Sequence, residues 1–151
     1  MIWSINIWLL IIIYIVYSII STLLFFFTSN GWTAVILYFA GGQLVYGFGL
    51  ILLLINGIYR SFKSKINSAN IKINLVRATL LIQSLAVLLN QGDYGDSLQG
   101  QHLSIGKLWG DSYFYNPYLA AIGFFFLCVY LILLITLWLQ IMISKSGGKL
   151  T

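Results

Sequence analysis

IWSINIWLLIIIYIVYSIISTLLFFF, residues 2–27, carries no charged side chain. At a helical rise of about 1.5 Å per residue, a run of this length exceeds the roughly 30 Å hydrocarbon layer of a bilayer. It is therefore expected to form a tilted membrane-crossing helix. A cleaved signal peptide would need a basic start, a shorter apolar core and small residues before the cut, and the stretch has none of these. The expectation is a retained anchor.

The rest of the chain has the same character. Soluble domains carry about a quarter charged residues; here 7% are charged and 60% are hydrophobic. So few charges could not cover a soluble surface, whereas lipid suits them. One Pro and 14 Gly fit helices with short connections. Long uncharged runs favour helices over the alternating pattern of a membrane barrel. The 151 residues suffice for four crossings and little else, which predicts one domain over 1–151.

The four expected helices cover about 2–27, 33–59, 71–91 and 118–143. TSNGWT, residues 28–33, makes a turn around Asn30-Gly31. RSFKSKINSANIKIN, residues 60–74, is basic and Asn-rich with no apolar period. The third helix is the short one. Its uncharged part, ATLLIQSLAVLLNQ, falls below the roughly 20 residues that a span needs. It is completed by starting near Ile71 and letting Lys72 and Arg77 snorkel, or it is re-entrant or strongly tilted. Asn116-Pro117 opens the fourth helix, where proline is welcome.

Lys and Arg set the orientation. Arg60, Lys63, Lys65 and Lys72 lie in the second connection, Arg77 at its rim, and Lys145 and Lys149 in the tail, against Lys107 alone on the other side. The positive-inside rule then places both termini and the basic loop in the cytoplasm. The fold class is thus an all-α integral membrane protein: an antiparallel four-helix bundle, N-in and C-in, with a longer outward loop between helices 3 and 4. A bacterial inner membrane is the expected location. Net charge +5 would suggest nucleic acid in a soluble chain, but here it meets anionic headgroups, and no nucleic-acid partner is expected. Trp3, Trp32 and Trp109 fall near the membrane boundaries, with Trp138 deeper.

In the second helix Gly42, Gly49 and Asn56 recur every seven residues, and Ala40 and Gly47 repeat that spacing. Small residues at this interval let helix backbones approach closely, within the bundle or at a homodimer seam, with a pore-lining stripe as a further alternative. Gln43 and Gln83 are the side-chain amides deepest in the spans. An amide in hydrocarbon wants a partner, so a Gln43–Gln83 bond between helices 2 and 3 is expected, with a lined path as the alternative.

The loop NQGDYGDSLQGQHLSIGKLWGD, residues 90–111, holds every acidic residue and the single histidine. Asp93, Asp96, His102, Trp109 and Asp111 are candidate contacts there. Turn-forming, solvated acids explain GDYGD without chemistry. Calcium would want an ordered ligand spacing that is missing, and zinc more His or Cys than this chain has. Acid–base catalysis by Asp93, Asp96 and His102 lacks a nucleophile motif. Cys128 has no disulfide partner in the chain. No metal or cofactor is expected. Four crossings in this length are shared by bacteriocin-type immunity proteins, small carriers and accessory subunits, and the architecture selects none of them. The leading expectation is a non-catalytic protein acting through partners: a membrane protein or further copies of itself, within the lipid bilayer. A channel or carrier lined by Gln43 and Gln83 comes second, and an outer-face enzyme third.

Overall fold

The computed structural model describes residues 1–28, 41–63, 68–89 and 117–144. The elements run in the order β1 (Ile2–Asn6), α1 (Ile7–Thr28), α2 (Gln43–Lys63), β2 (Ser68–Lys72), α3 (Ile73–Leu88) and α4 (Pro117–Ile143). Three helices contain segments long and apolar enough to cross a membrane: Ile7–Phe26, Gln43–Phe62 and Ala121–Ile143. The remaining helix, α3, has 16 residues and is about 24 Å long at the helical rise.

Residues 2–6 depart from the expected first helix. They form a strand paired antiparallel with residues 68–72, with Ile2 opposite Lys72, Ser4 opposite Asn70 and Asn6 opposite Ser68. The physical reason lies at Asn6, whose Oδ1 accepts the Trp8 N–H at 2.9 Å. An asparagine in this position caps a helix and separates it from what precedes. β2 likewise takes up Ile71 and Lys72, which had been expected in the third helix, so α3 begins at Ile73.

Hydroxyls within the apolar helices are turned back on their own backbone. Ser18 Oγ donates to Ile15 O (2.8 Å), Thr22 Oγ1 to Ser18 O (2.7 Å) and Thr28 Oγ1 to Leu24 O (3.0 Å). Bonding of this type hides a polar group without a second chain segment. The buried apolar core draws on all four helices and on β2: Ile7, Ile11 and Tyr14 of α1, Leu53 of α2, Ala69 and Ile71 of β2, Ala86 of α3, and Leu134, Trp138 and Ile141 of α4.

Contacts fix how the helix ends meet. Gly57 of α2 lies against Ile7 and Ile11 at the start of α1. Asn56 and Arg60 of α2 reach Ile141 near the end of α4. The N–H of Ile73, at the start of α3, donates to Met1 O at 3.2 Å. At the opposite end, Gly123 near the start of α4 sits against the Leu89 carbonyl just past α3, with no room for a Cβ.

Candidate functional site: a closed polar ring between the helices

Five side chains from the four helices form one hydrogen-bonded circuit. Tyr17 OH donates to Gln83 Oε1 at 2.8 Å, and Gln83 Nε2 donates to Ser21 Oγ at 2.6 Å. Ser21 Oγ bonds Tyr46 OH, Tyr46 OH lies 2.7 Å from Tyr130 OH, and Tyr130 OH lies 2.7 Å from Tyr17 OH. Gln83 sets the direction of circulation, because its nitrogen only donates and its oxygen only accepts. Tyr17 spends its single proton on Gln83 and so accepts from Tyr130. Tyr130 in turn accepts from Tyr46, and Tyr46 from Ser21. Every member is satisfied. A flipped carboxamide would reverse the circulation without opening the ring.

The ring is buried and braced. Ser21, Tyr46, Gln83 and Tyr130 are all buried, Gln83 being 5% exposed. Tyr14 OH donates to the Tyr46 carbonyl at 3.1 Å, and the Tyr17 and Tyr46 rings meet edge-on at 6.2 Å. A polar network in low dielectric is favourable when complete and costly when broken, so this one fixes the helices in a single register. Counted from the Ile7, Lys63, Ile73 and Ile143 ends, its residues lie about 15–26 Å along their helices.

The expected Gln43–Gln83 bond is replaced by this circuit. Both amide atoms of Gln83 are engaged within the ring, and Gln43 is exposed at the start of α2. Gln43 instead lines an open cleft of about 350 Å³ between α1 and α2, together with Ser18, Thr22, Tyr46, Gly47 and Leu50. The cleft touches the ring at Tyr46 and does not include Gln83.

The small-residue stripe divides. A Cβ on Gly49 would fall on the Trp138 ring and the Tyr14 hydroxyl, so this glycine holds α2 against α4 and α1. At Gly47 the same test meets nothing within 4 Å. Gly42 is half-buried in a wider turn that leads into α2. Asn56 Oδ1 accepts from Arg60 Nε at 2.9 Å. Ala40 lies outside the described residues.

Arg60 was expected in the basic second connection and instead lies within α2, 5% exposed. Besides Asn56, its guanidinium donates to Ser68 O (2.7 Å), Ile141 O (2.9 Å), and Ser144 O (2.6 Å) and Oγ (3.2 Å). The carbonyls at the end of α4 carry the negative pole of that helix, and Arg60 closes it as a cation should. The bonds join α2, β2 and α4 at one point. Lys72 and Arg77 are exposed. The side chain of Lys63 and all of Lys65, Lys145 and Lys149 lie outside the described residues, as do Asp93, Asp96, His102, Trp109 and Asp111. Among the described residues, no three His, Cys, Asp or Glu come together as a metal site would need.

Gln140, by contrast, is a residue the sequence did not single out. Its Nε2 donates to Asn70 O at 2.8 Å, while its Oε1 accepts from Lys72 N at 3.2 Å. One side-chain amide thus occupies the place of a neighbouring peptide group along β2. The tyrosines of the ring did carry a signal: Tyr17, Tyr46 and Tyr130 stand well inside charge-free runs, away from the boundaries where interfacial tyrosines gather.

Comparison with protein-family models, with curated proteins and with solved structures finds no match to this chain.

Proposed function

We propose that this is a four-crossing integral protein of a bacterial cytoplasmic membrane that acts through protein partners and carries out no catalysis. The antiparallel bundle, with both termini and the basic loop inside, is part of that reading. The end-to-end contacts of the helices support it, since each helix start or end meets the ends expected for alternating directions. The short α3 is accommodated by tilt or local thinning of the bilayer, which costs only fractions of a kcal/mol per Å of mismatch.

The observation that carries the reading is the closure of the ring. A transport path needs polar groups that can exchange partners with a passing solute, and Gln83 has both its amide atoms committed to Tyr17 and Ser21. A structural network of this kind makes the bundle a rigid scaffold whose outer surface is what other molecules meet. The channel or carrier reading rests on the cleft at Gln43, which reaches Tyr46.

A Gln83→Cys variant in a Cys128→Ser background separates the two. With a rigid scaffold, a membrane-impermeant thiol reagent leaves it unmodified from either side. Rapid modification would put a wet path through the ring and favour transport. The orientation is tested by labelling Ser64→Cys and Ser104→Cys, which should react from opposite sides of the membrane.

A further inference from the structure

The cleft between α1 and α2 is uncharged but not apolar throughout. Its volume of about 350 Å³ falls in the range of small-molecule sites, which are mostly apolar with a few placed polar groups. Ser18 and Thr22 line it from α1, and each donates its hydroxyl proton to the backbone of its own helix, at 2.8 and 2.7 Å. Their oxygens keep lone pairs but have no proton left to offer. Gln43 lines the cleft from α2. Among the described residues nothing bonds its amide, so both the N–H donors and the carbonyl acceptor are open. Beside it, a Cβ on Gly47 would meet nothing within 4 Å.

Location narrows what fits. In the crossing Ile7–Phe26, Thr22 and Ser18 stand about 6 and 12 Å inside the Phe26 end at the helical rise. In a bilayer that depth is hydrocarbon, where an unpaired amide is costly. No cation or anion lines the cleft, so a phosphate or ammonium headgroup would be desolvated there without compensation. Ile19 and Leu23 at the rim are 56% and 47% exposed, so the cleft opens sideways to lipid. A second helix docks where small residues on both sides let backbones close in. Here Gly47 is the one glycine of the lining, and Ile19, Leu23 and Leu50 hold a helix off. A slim chain fits between them.

The amide decides the head of that chain. Gln43 calls for an acceptor and a donor side by side, and the Ser18 and Thr22 oxygens add only to the demand for a donor. A quinone or a fully esterified glyceride offers acceptors alone. A free hydroxyl beside an ester carbonyl offers both, without charge.

Resting on the membrane reading above, we propose that this cleft binds a diacylglycerol taken sideways from the bilayer. Gln43 Nε2 donates to an ester carbonyl of the lipid, and the lipid hydroxyl donates to Gln43 Oε1, with the Ser18 and Thr22 oxygens as further acceptors. One acyl chain lies over Gly47, between Ile19 and Leu50.

The test uses the full chain in phosphatidylcholine vesicles that carry a trace of diacylglycerol with a diazirine on one acyl chain. Parallel vesicles carry the same group on phosphatidylcholine. On illumination the diacylglycerol probe should label residues 18–23 and 46–50, and unlabelled diacylglycerol should compete it away. The phosphatidylcholine probe should show no preference for the cleft. Gln43→Leu should lower cleft labelling about tenfold, as the loss of two membrane hydrogen bonds implies. Labelling at Phe124 and Ile132, both exposed on α4, should stay unchanged. Gly47→Leu, which fills the open space, should act as Gln43→Leu does. Equal competition by phosphatidylcholine or by a long-chain quinone would overturn the choice of lipid. Cleft labelling that survives both substitutions, or a chain that floats with the vesicles yet is never labelled there, would overturn the site. So would a disulfide-linked dimer of Gln43→Cys in a Cys128→Ser background, which would seat a second copy in the cleft. A chain that does not float with the vesicles overturns the membrane reading, and the lipid site with it.

Discussion

The Tyr17 hydroxyl meets Gln83 Oε1 at 2.8 Å, joining α1 to α3 across 66 positions of sequence. Each residue alone would be a polar liability inside an apolar bundle. Together, and with Ser21, Tyr46 and Tyr130, they close a circuit in which every polar side-chain atom has a hydrogen-bond partner. Energetic coupling should follow the same route. Gln83→Leu leaves Tyr17 and Ser21 each short of a partner and is expected to cost about 1–2 kcal/mol. Tyr17→Phe in the same background should cost less than it does alone, by a coupling of about 1 kcal/mol in a double-mutant cycle. Gln43→Leu should show no coupling to Gln83. Thermal denaturation of the detergent-solubilised protein measures all three.

Arg60 should resist conservative replacement. Lysine keeps the charge but presents a point donor, and cannot serve Asn56, Ser68, Ile141 and Ser144 together as the guanidinium fork does. Arg60→Lys is expected to lose about 1–3 kcal/mol, and Arg60→Met more, since it strands several buried carbonyls. Urea or thermal titration of the two variants should preserve that order.

Two glycines of the same helix should behave oppositely. Gly49→Ala drives a methyl into Trp138 and Tyr14 and is expected to cost about 1–3 kcal/mol. Gly47→Ala meets open space and should be neutral or stabilising by up to about 1 kcal/mol, through helix propensity. Equal losses at both positions would show that the stripe is one seam after all.

Gln140→Leu removes the amide that seals β2. The Lys72 N–H should then exchange with deuterium faster, while the Ile71 N–H, which faces β1, changes little. Gln140→Glu keeps the acceptor for Lys72 and loses the donor to Asn70, so exchange at Lys72 should fall between the two.

Charge spacing made the helical character and the three long apolar segments legible, because the absence of a charge over some 20 residues is a one-dimensional signal. Pairings were not. Gln83 was visible as an amide in need of a partner. Which partner it finds depends on the rotation of α1 and α3 about their own axes, and Gln43 was the wrong choice. Arg60 read as a surface cation because its acceptors are carbonyls, which leave no mark in sequence. IWSIN read as the start of a helix because its partner, SANIK, stands 66 residues away, and the alternation of Ala69 and Ile71 with polar neighbours is too short to stand out in a basic, Asn-rich segment.

That separation has a consequence for how the chain is made. Synthesis runs in chain order at about 5–20 residues per second, so β1 is made before its partner and waits through α1, α2 and the segment beyond before β2 exists. The acceptors of Arg60 arrive in two instalments: Ser68 soon after it, and Ile141 and Ser144 only after α4. A nascent chain halted before residue 68 therefore carries an unpaired strand and an open guanidinium at the same end. Folding at that end finishes only when the ribosome has passed Ser144.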